Sequence, residues 1–180
     1  MKSINQIIKE AINNVISPKN RYDEPAFEML IGIPGSGKST YLRSISSDNV
    51  KIVCPDDIRR ELTGDISDQS KNGEVWDKAK QDILNSISQG FYTILDATNV
   101  NTKARRNMLS LIKSNFKDIN TYARLFDADP EISKQRIKKD ITNKVDRSNV
   151  PDEVIDRMYQ QYLETVNNIN SEGFTKIFKQ

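Results

Sequence analysis

The chain has 180 residues, 36% hydrophobic and 29% charged, which supports one domain with a buried core, and its net charge of +2 is too small to indicate nucleic acid. Its single cysteine, Cys54, excludes an internal disulfide and a cysteine-rich zinc site. Its lack of histidine excludes catalysis by histidine. We expect a cytoplasmic protein without a membrane partner, because no apolar run reaches transmembrane length and the N-terminus lacks the apolar core of a signal peptide.

The first predicted element is an amphipathic helix over residues 3–16. Its apolar residues follow the spacing of one helix face. Ser3 and Gln6 have the spacing of a capping box, and Pro18 ends the segment. We therefore assign residues 1–26 to an N-terminal helix and linker, and we expect the helix to pack on the flank of the following domain.

From residue 27 to residue 180, apolar runs alternate with helical segments in one predicted domain. The predicted strands cover residues 27–31, 51–54, 91–95, 119–126 and 174–178. The predicted long helices begin near residue 38 and cover 74–88, 102–114, the segment after 130, and 151–169. This alternation predicts an α/β fold in which helices cover both faces of a five-stranded parallel sheet. We expect the first strand at the centre, beside the third.

A glycine-rich loop follows the first predicted strand. Residues 32–39, GIPGSGKS, match the phosphate-binding pattern G-x-x-x-x-G-K-S between a strand and a helix. Backbone N–H groups and the helix N-terminus of such a loop face the phosphates, Lys38 reaches the outer phosphates, and the Ser39 hydroxyl binds Mg²⁺. The predicted nucleoside triphosphate site comprises Gly32, Pro34, Gly35, Ser36, Gly37, Lys38, Ser39 and Thr40.

Polar side chains follow the second and third predicted strands, on the edge of the sheet that faces the phosphates. An aspartate at position 56 can accept the proton of an attacking hydroxyl, and if Asp56 caps a short helix, Arg59 lies one turn later on the same side. Asp96 closes the third strand, where a carboxylate steers Mg²⁺ or fixes a cation. Thr98 and Asn99 offer hydrogen bonds to an acceptor. Plain capping and solvation remain alternatives for these residues.

Two short motifs are interpreted as chance matches. Residues 143–146, NKVD, spell the guanine-reading tetrapeptide of GTPases, but a charged helical segment precedes them instead of an apolar strand. Asp127 and Asp129 have the spacing of an aspartate-nucleophile phosphatase, but Pro130 and Glu131 do not fit that motif. We predict instead that Asp129 caps the next helix.

The segment over about residues 130–150 is basic and follows the fourth predicted strand. We predict that it folds over the triphosphate as a helical lid. Arg136 would then neutralise charge on the transferred phosphoryl group, and the lid would exclude water. A solvated basic helix is the alternative.

Five short stretches over residues 27–165 together form a recognisable set of motifs. They are GIPGSGKST, PDDIRREL, ILDATN followed by ARR, LFDADPEISKQR and NVPDEVIDRMYQQY. This set resembles the kinase domain of bacteriophage-type 5′-hydroxyl polynucleotide kinases. The resemblance implies transfer of phosphate from ATP, or another NTP, with Mg²⁺ to the 5′-hydroxyl end of DNA or RNA, as in nucleic acid repair.

The resemblance also implies residue roles. Asp56 would be the general base for the 5′-hydroxyl. Arg59 would hold the phosphate on the 3′ side of the acceptor, with Thr98 beside it. Lys38 and Arg136 would stabilise the transferring phosphate.

Other positions match the resemblance less closely. Asp96 lies one position earlier than its counterpart, so it would organise the acceptor or bind the metal together with Ser39. Val150 and Val154 would pack against the acceptor base. The family has a second lid arginine where this chain has Asp140, so Lys139 or Arg147 would have to take its place.

Two other functions stay open at this point. One is a small-molecule kinase on the same scaffold, with a sugar, nucleotide-sugar or nucleoside acceptor. The other is a nucleotide switch that docks through its N-terminal helix, although a switch needs no acceptor base. DNA or RNA preference, NTP preference and oligomeric state are also open.

Overall fold

The structure is a computed structural model. It describes residues 3–4, 20–127, 129–143, 145 and 148–180. Most of the predicted N-terminal helix, the candidate Arg147 and part of the NKVD motif therefore lie outside the described residues.

Five strands form one parallel sheet. They are β1 (Ala26–Ile31), β2 (Val50–Val53), β3 (Tyr92–Leu95), β4 (Asn120–Leu125) and β5 (Lys176–Lys179). Their order is β2-β3-β1-β4-β5, and every pair is parallel. The predicted five-stranded parallel sheet, with β1 central and beside β3, is confirmed. β5 begins two residues later than predicted, because the chain turns at Gly173 (φ 93°) and Phe174 packs against the core.

Six helices connect the strands within the described residues. They are α1 (Lys38–Arg43), α2 (Pro55–Thr63), α3 (Asn72–Ser88), α4 (Thr102–Asn115), α5 (Pro130–Thr142) and α6 (Asp152–Asn168), followed by a 3₁₀ turn at Ile169–Ser171. None of the helices in this part of the chain has the length and apolar character needed to cross a bilayer.

The first residues of three helices explain where they begin. Asp129 caps α5 as predicted, because its Oδ1 accepts from the backbone N–H of Glu131 at 2.7 Å. Asn101 caps α4 in the same way, with Oδ1 accepting from the N–H of Ala104 at 2.9 Å. The conditional prediction that Asp56 caps α2 is wrong. Pro55 takes the first helical position, where its missing N–H costs nothing, so Asp56 lies inside the first turn.

The larger core lies on one face of the sheet. Phe27, Met29 and Ile31 of β1 point into it, and Ile83 of α3 and Ile112 of α4 pack there, all with at most 1% exposure. Each such side chain contributes roughly 1.5–3 kcal/mol when fully buried. The core thus holds the central strand rigidly under the loop that follows it.

A buried carboxylate lies on the opposite face of the sheet. Glu28 of β1 is 0% exposed and accepts hydrogen bonds from Tyr41 of α1 at 3.0 Å, from Tyr92 and from Arg124. The Arg124 guanidinium lies over the rings of Tyr41 and Phe178, at 4.5 and 4.4 Å from their centroids. A buried charge is tolerated only when it is paired and hydrogen-bonded. Glu28 therefore ties α1 to three neighbouring strands.

Candidate active site

The phosphate loop joins β1 to α1 and curls around the Lys38 ammonium group. Nζ of Lys38 donates to the backbone oxygens of Gly32 at 2.8 Å and Ile33 at 2.9 Å. Gly35 (φ 80°) and Gly37 (φ 104°) lie in the left-handed region, which glycine adopts without steric cost. The loop therefore has the curled backbone that turns N–H groups toward a bound phosphate.

The base of the loop allows no side chain at Gly32. A Cβ atom there would lie 2.6 Å from Oγ of Ser36 and 2.9 Å from Cβ of Phe126, which follows β4. The N–H of Gly32 donates to the backbone oxygen of Thr98 at 3.0 Å. The phosphate loop is thus fixed against the ends of both strands that flank β1.

α5 packs directly on the tip of the phosphate loop. Ser133 is fully buried there, and its backbone oxygen lies 3.1 Å from the position that a Cβ of Gly35 would occupy. Nη1 of Arg136 donates to the backbone oxygen of Gly35 at 2.9 Å. The predicted lid arginine therefore contacts the phosphate loop, while Lys139 is exposed. Its part in catalysis stays a prediction.

Substituting Gly35 should affect both folding and nucleotide binding. We expect Gly35→Ala to lower the free energy of unfolding by about 2 kcal/mol or more, because a left-handed φ costs roughly 1–2 kcal/mol and the methyl group meets Ser133. The Kd for ATP should rise about tenfold as the loop shifts. Urea unfolding and a fluorescent ATP analogue measure the two effects.

Gly64 provides a matched control for this substitution. Its φ of 81° equals that of Gly35 within one degree, but nothing lies within 4 Å of its added Cβ. Gly64→Ala should therefore lower the free energy of unfolding only by the cost of a left-handed φ, and it should leave the Kd for ATP unchanged. Equal effects of the two substitutions would show that the contact with α5 does not matter.

The second part of the site is the start of α2. The Asp56 carboxylate is 57% exposed, whereas the Arg59 side chain is only 6% exposed. Nη1 of Arg59 donates to Oδ1 of Asp56 and, at 3.4 Å, to the backbone oxygen of Ile66. Nη2 donates to Oδ1 of Asn72 at 3.2 Å. Arg59 is thus a fixed cation that orients an accessible carboxylate.

The loop after β3, which we call the β3 loop (residues 96–101), brings the two parts together. The N–H of Asp96 donates to the backbone oxygen of Val53 at 2.9 Å. Burial raises the pKa of the Asp96 carboxyl; the positive charge of Lys38 opposes this shift, and the negative charges of Asp56 and Asp57 add to it. Asp96 is therefore within electrostatic reach of both the phosphate-loop lysine and the α2 carboxylates.

Neighbouring side chains limit the possible chemistry. Burial raises the pKa of the Cys54 thiol to about 12, so this residue is uncharged at neutral pH and is not an activated nucleophile.

The Asn99 amide donates to the backbone oxygen of Leu30 at 2.7 Å. The structural interpretation of Asn99 is therefore supported, while the role of the Thr98 side chain stays a prediction.

The oxygen ligands that Mg²⁺ prefers are present at this site. Ser39 is exposed at the start of α1, and Asp96 offers a carboxylate. Within the described residues, no group of three or more His, Cys, Asp or Glu side chains is arranged to hold a metal. A magnesium ion bound mainly by substrate phosphates, with one hydroxyl and one carboxylate, requires no such group. The residues fit this ion.

Val150 lies two residues before α6, and Val154 lies in its first turn. Val150 packs against the larger core, and Val154 is half-buried. Their contact with an acceptor base stays a prediction.

Sequence reasoning missed two buried charged residues near the β3 loop. Arg105 and Glu172 form an ion pair whose side chains are both 0% exposed. The spacing of Arg105 with Met108, Leu109 and Ile112 placed it on the apolar face of α4, which was the available signal. Nothing in the sequence identified Glu172 as its partner.

A family model described as an AAA domain matches residues 28–165. No curated protein matches the sequence. Two solved structures of the Pnkp1/Rnl/Hen1 complex contain similar folds, the first described as an RNA repair complex. The first is 23% identical with a TM-score of 0.71 and covers 84% of this chain and 48% of that chain. The second is 26% identical with a TM-score of 0.57 and covers 66% of this chain and 40% of that chain.

This chain therefore spans half or less of the length of those two proteins. A third similar structure belongs to the PezAT chromosomal toxin–antitoxin system of Streptococcus pneumoniae. It is 16% identical, has a TM-score of 0.61, and covers 98% of this chain and 77% of that chain. The predicted P-loop kinase fold is confirmed, and so is the resemblance to a kinase domain of the polynucleotide kinase type.

Proposed function

The chain belongs to the AAA domain family, whose model matches most of it, and from this membership and its kinase fold we propose that it is a polynucleotide 5′-hydroxyl kinase. It would transfer the γ-phosphate of ATP, or of another NTP, to the 5′-hydroxyl end of DNA or RNA. The fold alone supports a nucleotide-binding phosphotransferase. The acceptor is the part that we infer.

One observation carries the proposal. The β3 loop is bonded to the phosphate loop, from Gly32 N–H to the Thr98 oxygen at 3.0 Å, and to the end of β2 just before α2, from Asp96 N–H to the Val53 oxygen at 2.9 Å. This supports a site in which a cation would bind phosphate and an accessible carboxylate would accept a proton, as transfer to a hydroxyl requires. A nucleotide switch needs no such carboxylate.

The proposed reaction uses these residues. The acceptor hydroxyl oxygen attacks the γ-phosphorus, its proton passes to Asp56, and the bond to the β–γ bridging oxygen breaks to release ADP. Lys38 and Arg136 compensate the charge on the transferring group. Mg²⁺, held by Ser39 and Asp96, would neutralise phosphate charge when bound.

A nucleic acid acceptor is favoured by the fixed cation beside the proposed base. Arg59 is held by Asp56 and Asn72, so its charge would lie next to the attacking hydroxyl. The acceptor in this proposal carries a 5′-hydroxyl, which would face Asp56, and a phosphate on its 3′ side, which would face Arg59. The similar fold in an RNA repair complex supports the same acceptor class.

We also propose a division of the chain. Residues 27–180 would form the kinase domain, with the lid at about 130–150, and the proposed boundary after residue 26 moves back because β1 already begins at Ala26. The contact of Arg136 with Gly35 supports the lid. Tyr22, which is buried, connects the linker to the domain. Val150 and Val154 would contact the acceptor base.

The acceptor is tested directly with ATP labelled at its γ-phosphate. We expect label to appear on an oligonucleotide with a 5′-hydroxyl and not on one that already carries a 5′-phosphate. A panel of sugars, nucleotide-sugars and nucleosides should accept little. Transfer to a member of that panel but not to the oligonucleotide would overturn the polynucleotide assignment in favour of a small-molecule kinase.

The role of Arg59 gives a further prediction. We expect Arg59→Ala to raise the KM for an oligonucleotide about 10²-fold, because a charge-assisted contact to phosphate contributes about 1.5–3 kcal/mol. An oligonucleotide whose first 3′-side phosphate is replaced by an uncharged methylphosphonate should be affected far less. Arg60→Ala is the control, since Arg60 is exposed and pairs with Asp57 at 2.9 Å. An equal effect on both acceptors would exclude a phosphate contact.

A further inference from the structure

A buried ion pair lies beside the residues assigned above. Arg105 of α4 donates to both carboxylate oxygens of Glu172, from Nε at 2.8 Å and from Nη2 at 2.5 Å. Both side chains are fully buried. Burying two charges is unfavourable unless their geometry and hydrogen bonds are good, so the pair by itself is weak evidence for a stabilising role. The third guanidinium nitrogen of Arg105, Nη1, makes a different contact that indicates another role.

Nη1 of Arg105 reaches the β3 loop. It donates to the backbone oxygen of Asn99 at 2.7 Å. Asn99 has a φ of 49°, in the left-handed region, where asparagine is found more often than most other residues with a side chain. Such a conformation persists where its surroundings hold it in place. The buried guanidinium is one of the groups that hold this turn.

The same turn is bonded to the phosphate loop and to α6. The backbone oxygen of Thr98 accepts from the N–H of Gly32 at 3.0 Å. The Thr165 hydroxyl, buried on α6, lies 3.1 Å from the backbone oxygen of Val100 and 2.7 Å from that of Gln161, and it shares its one proton between them. The β3 loop therefore has two buried anchors, Arg105 and Thr165, and a direct contact with the first glycine of the phosphate loop.

We propose that Arg105 and Glu172 are positioning residues for phosphoryl transfer. The pair fixes the β3 loop against the phosphate loop. Asp96 and Thr98 are thereby kept at the position where the phosphate would be transferred. This proposal rests on the proposed function, because it assigns the β3 loop to the acceptor side of the site. Neither Arg105 nor Glu172 touches the reacting atoms.

Two substitutions test the anchors separately. Arg105→Lys keeps a cation beside Glu172 but cannot also reach the Asn99 oxygen. Thr165→Val keeps the shape and leaves no buried charge unpaired. We expect kcat to fall about 10²-fold in Arg105→Lys and about tenfold in Thr165→Val, because small misplacements at a reacting centre cost this much. The Kd for ATP should stay within about threefold. Should Arg105→Lys fail to fold, Glu172→Gln takes its place, and an unchanged kcat in that variant would overturn the proposal.

Lys113→Ala provides the matched control. Lys113 is exposed and donates to the backbone oxygen of Gly173, so it ties α4 to the residue after Glu172 without touching the β3 loop. Its loss should leave kcat within about threefold of the original protein. A fall in kcat as large as that of Arg105→Lys would mean general loosening and would overturn the positioning role.

Amide hydrogen exchange tests the same inference without an acceptor. Both anchor variants should exchange faster at Gly32 and across residues 96–100, and Lys113→Ala should not. Unchanged exchange there would overturn the positioning role whatever the acceptor is. Faster exchange in the variants, combined with no transfer to 5′-hydroxyl ends by the original protein, would support the positioning role and refute the proposed function.

Discussion

Lys38→Ala is expected to abolish measurable phosphoryl transfer, with a fall in kcat of about 10³-fold or more. A fixed charge aimed at the transferring group contributes about 10²–10³-fold by itself, and Lys38 also shapes the loop. Its Nζ donates to the backbone oxygens of Gly32 and Ile33, so the ammonium group closes the loop in addition to its proposed contact with the phosphates. Rates with saturating labelled ATP, measured beside thermal unfolding, give the result.

Lys38→Met separates the charge from the packing. Methionine is unbranched and fills a similar volume, so folding should be preserved while transfer is lost. Burial raises the pKa of Asp96 and the charge of Lys38 opposes this shift, so the pKa of Asp96 should rise further in this variant. Transfer at more than about a tenth of the original rate would contradict the assignment of the phosphate site.

Asp56→Asn is expected to lower kcat by about 10²–10⁴-fold with little change in ATP binding. General-base catalysis contributes about this much, and an amide cannot accept the hydroxyl proton. Asparagine keeps a side-chain oxygen that can still accept from Arg59, so the geometry of α2 should survive. Single-turnover transfer with a pre-bound acceptor measures the chemical step.

Asp57→Asn is the matched control for Asp56. Asp57 is the next residue of the same helical turn, is exposed and pairs with an arginine three residues later, as Asp56 does. Its substitution removes one negative charge from the same region but leaves the proposed base. Equal losses in the two variants, or unchanged turnover in Asp56→Asn, would place the base elsewhere.

Much of the fold was predictable because its signals are local. Apolar runs alternating with amphipathic segments predicted the parallel sheet, and Asp129–Pro130 predicted the start of α5. The cap predicted at Asp56 was wrong for an equally local reason, since Pro55 is well suited to the first helical position. Helix ends follow short-range chemistry, so they could be predicted within a few residues.

Buried charges were not predictable in the same way. Glu28 lies within an otherwise apolar strand, and its partner Arg124 is 96 residues away in sequence. Arg105 and Glu172 are 67 residues apart. Which cation meets which carboxylate depends on the order of strands and on helix packing, and a single sequence gives no signal for either. The motif therefore located the phosphate site, while the network that supports it required the structure.

The parallel pairing of β1 has a consequence for protein synthesis. Ala26 pairs with Tyr92 on one side and with Asn120 on the other, so the strand leading into the phosphate loop lacks both partners until those residues leave the ribosome. Contacts between distant residues form slowly, and unpaired strand edges in a nascent chain attract aggregation or chaperones. The phosphate loop is thus synthesised before the two strands that complete its support, and the site is complete only after Tyr92 and Asn120 have been made.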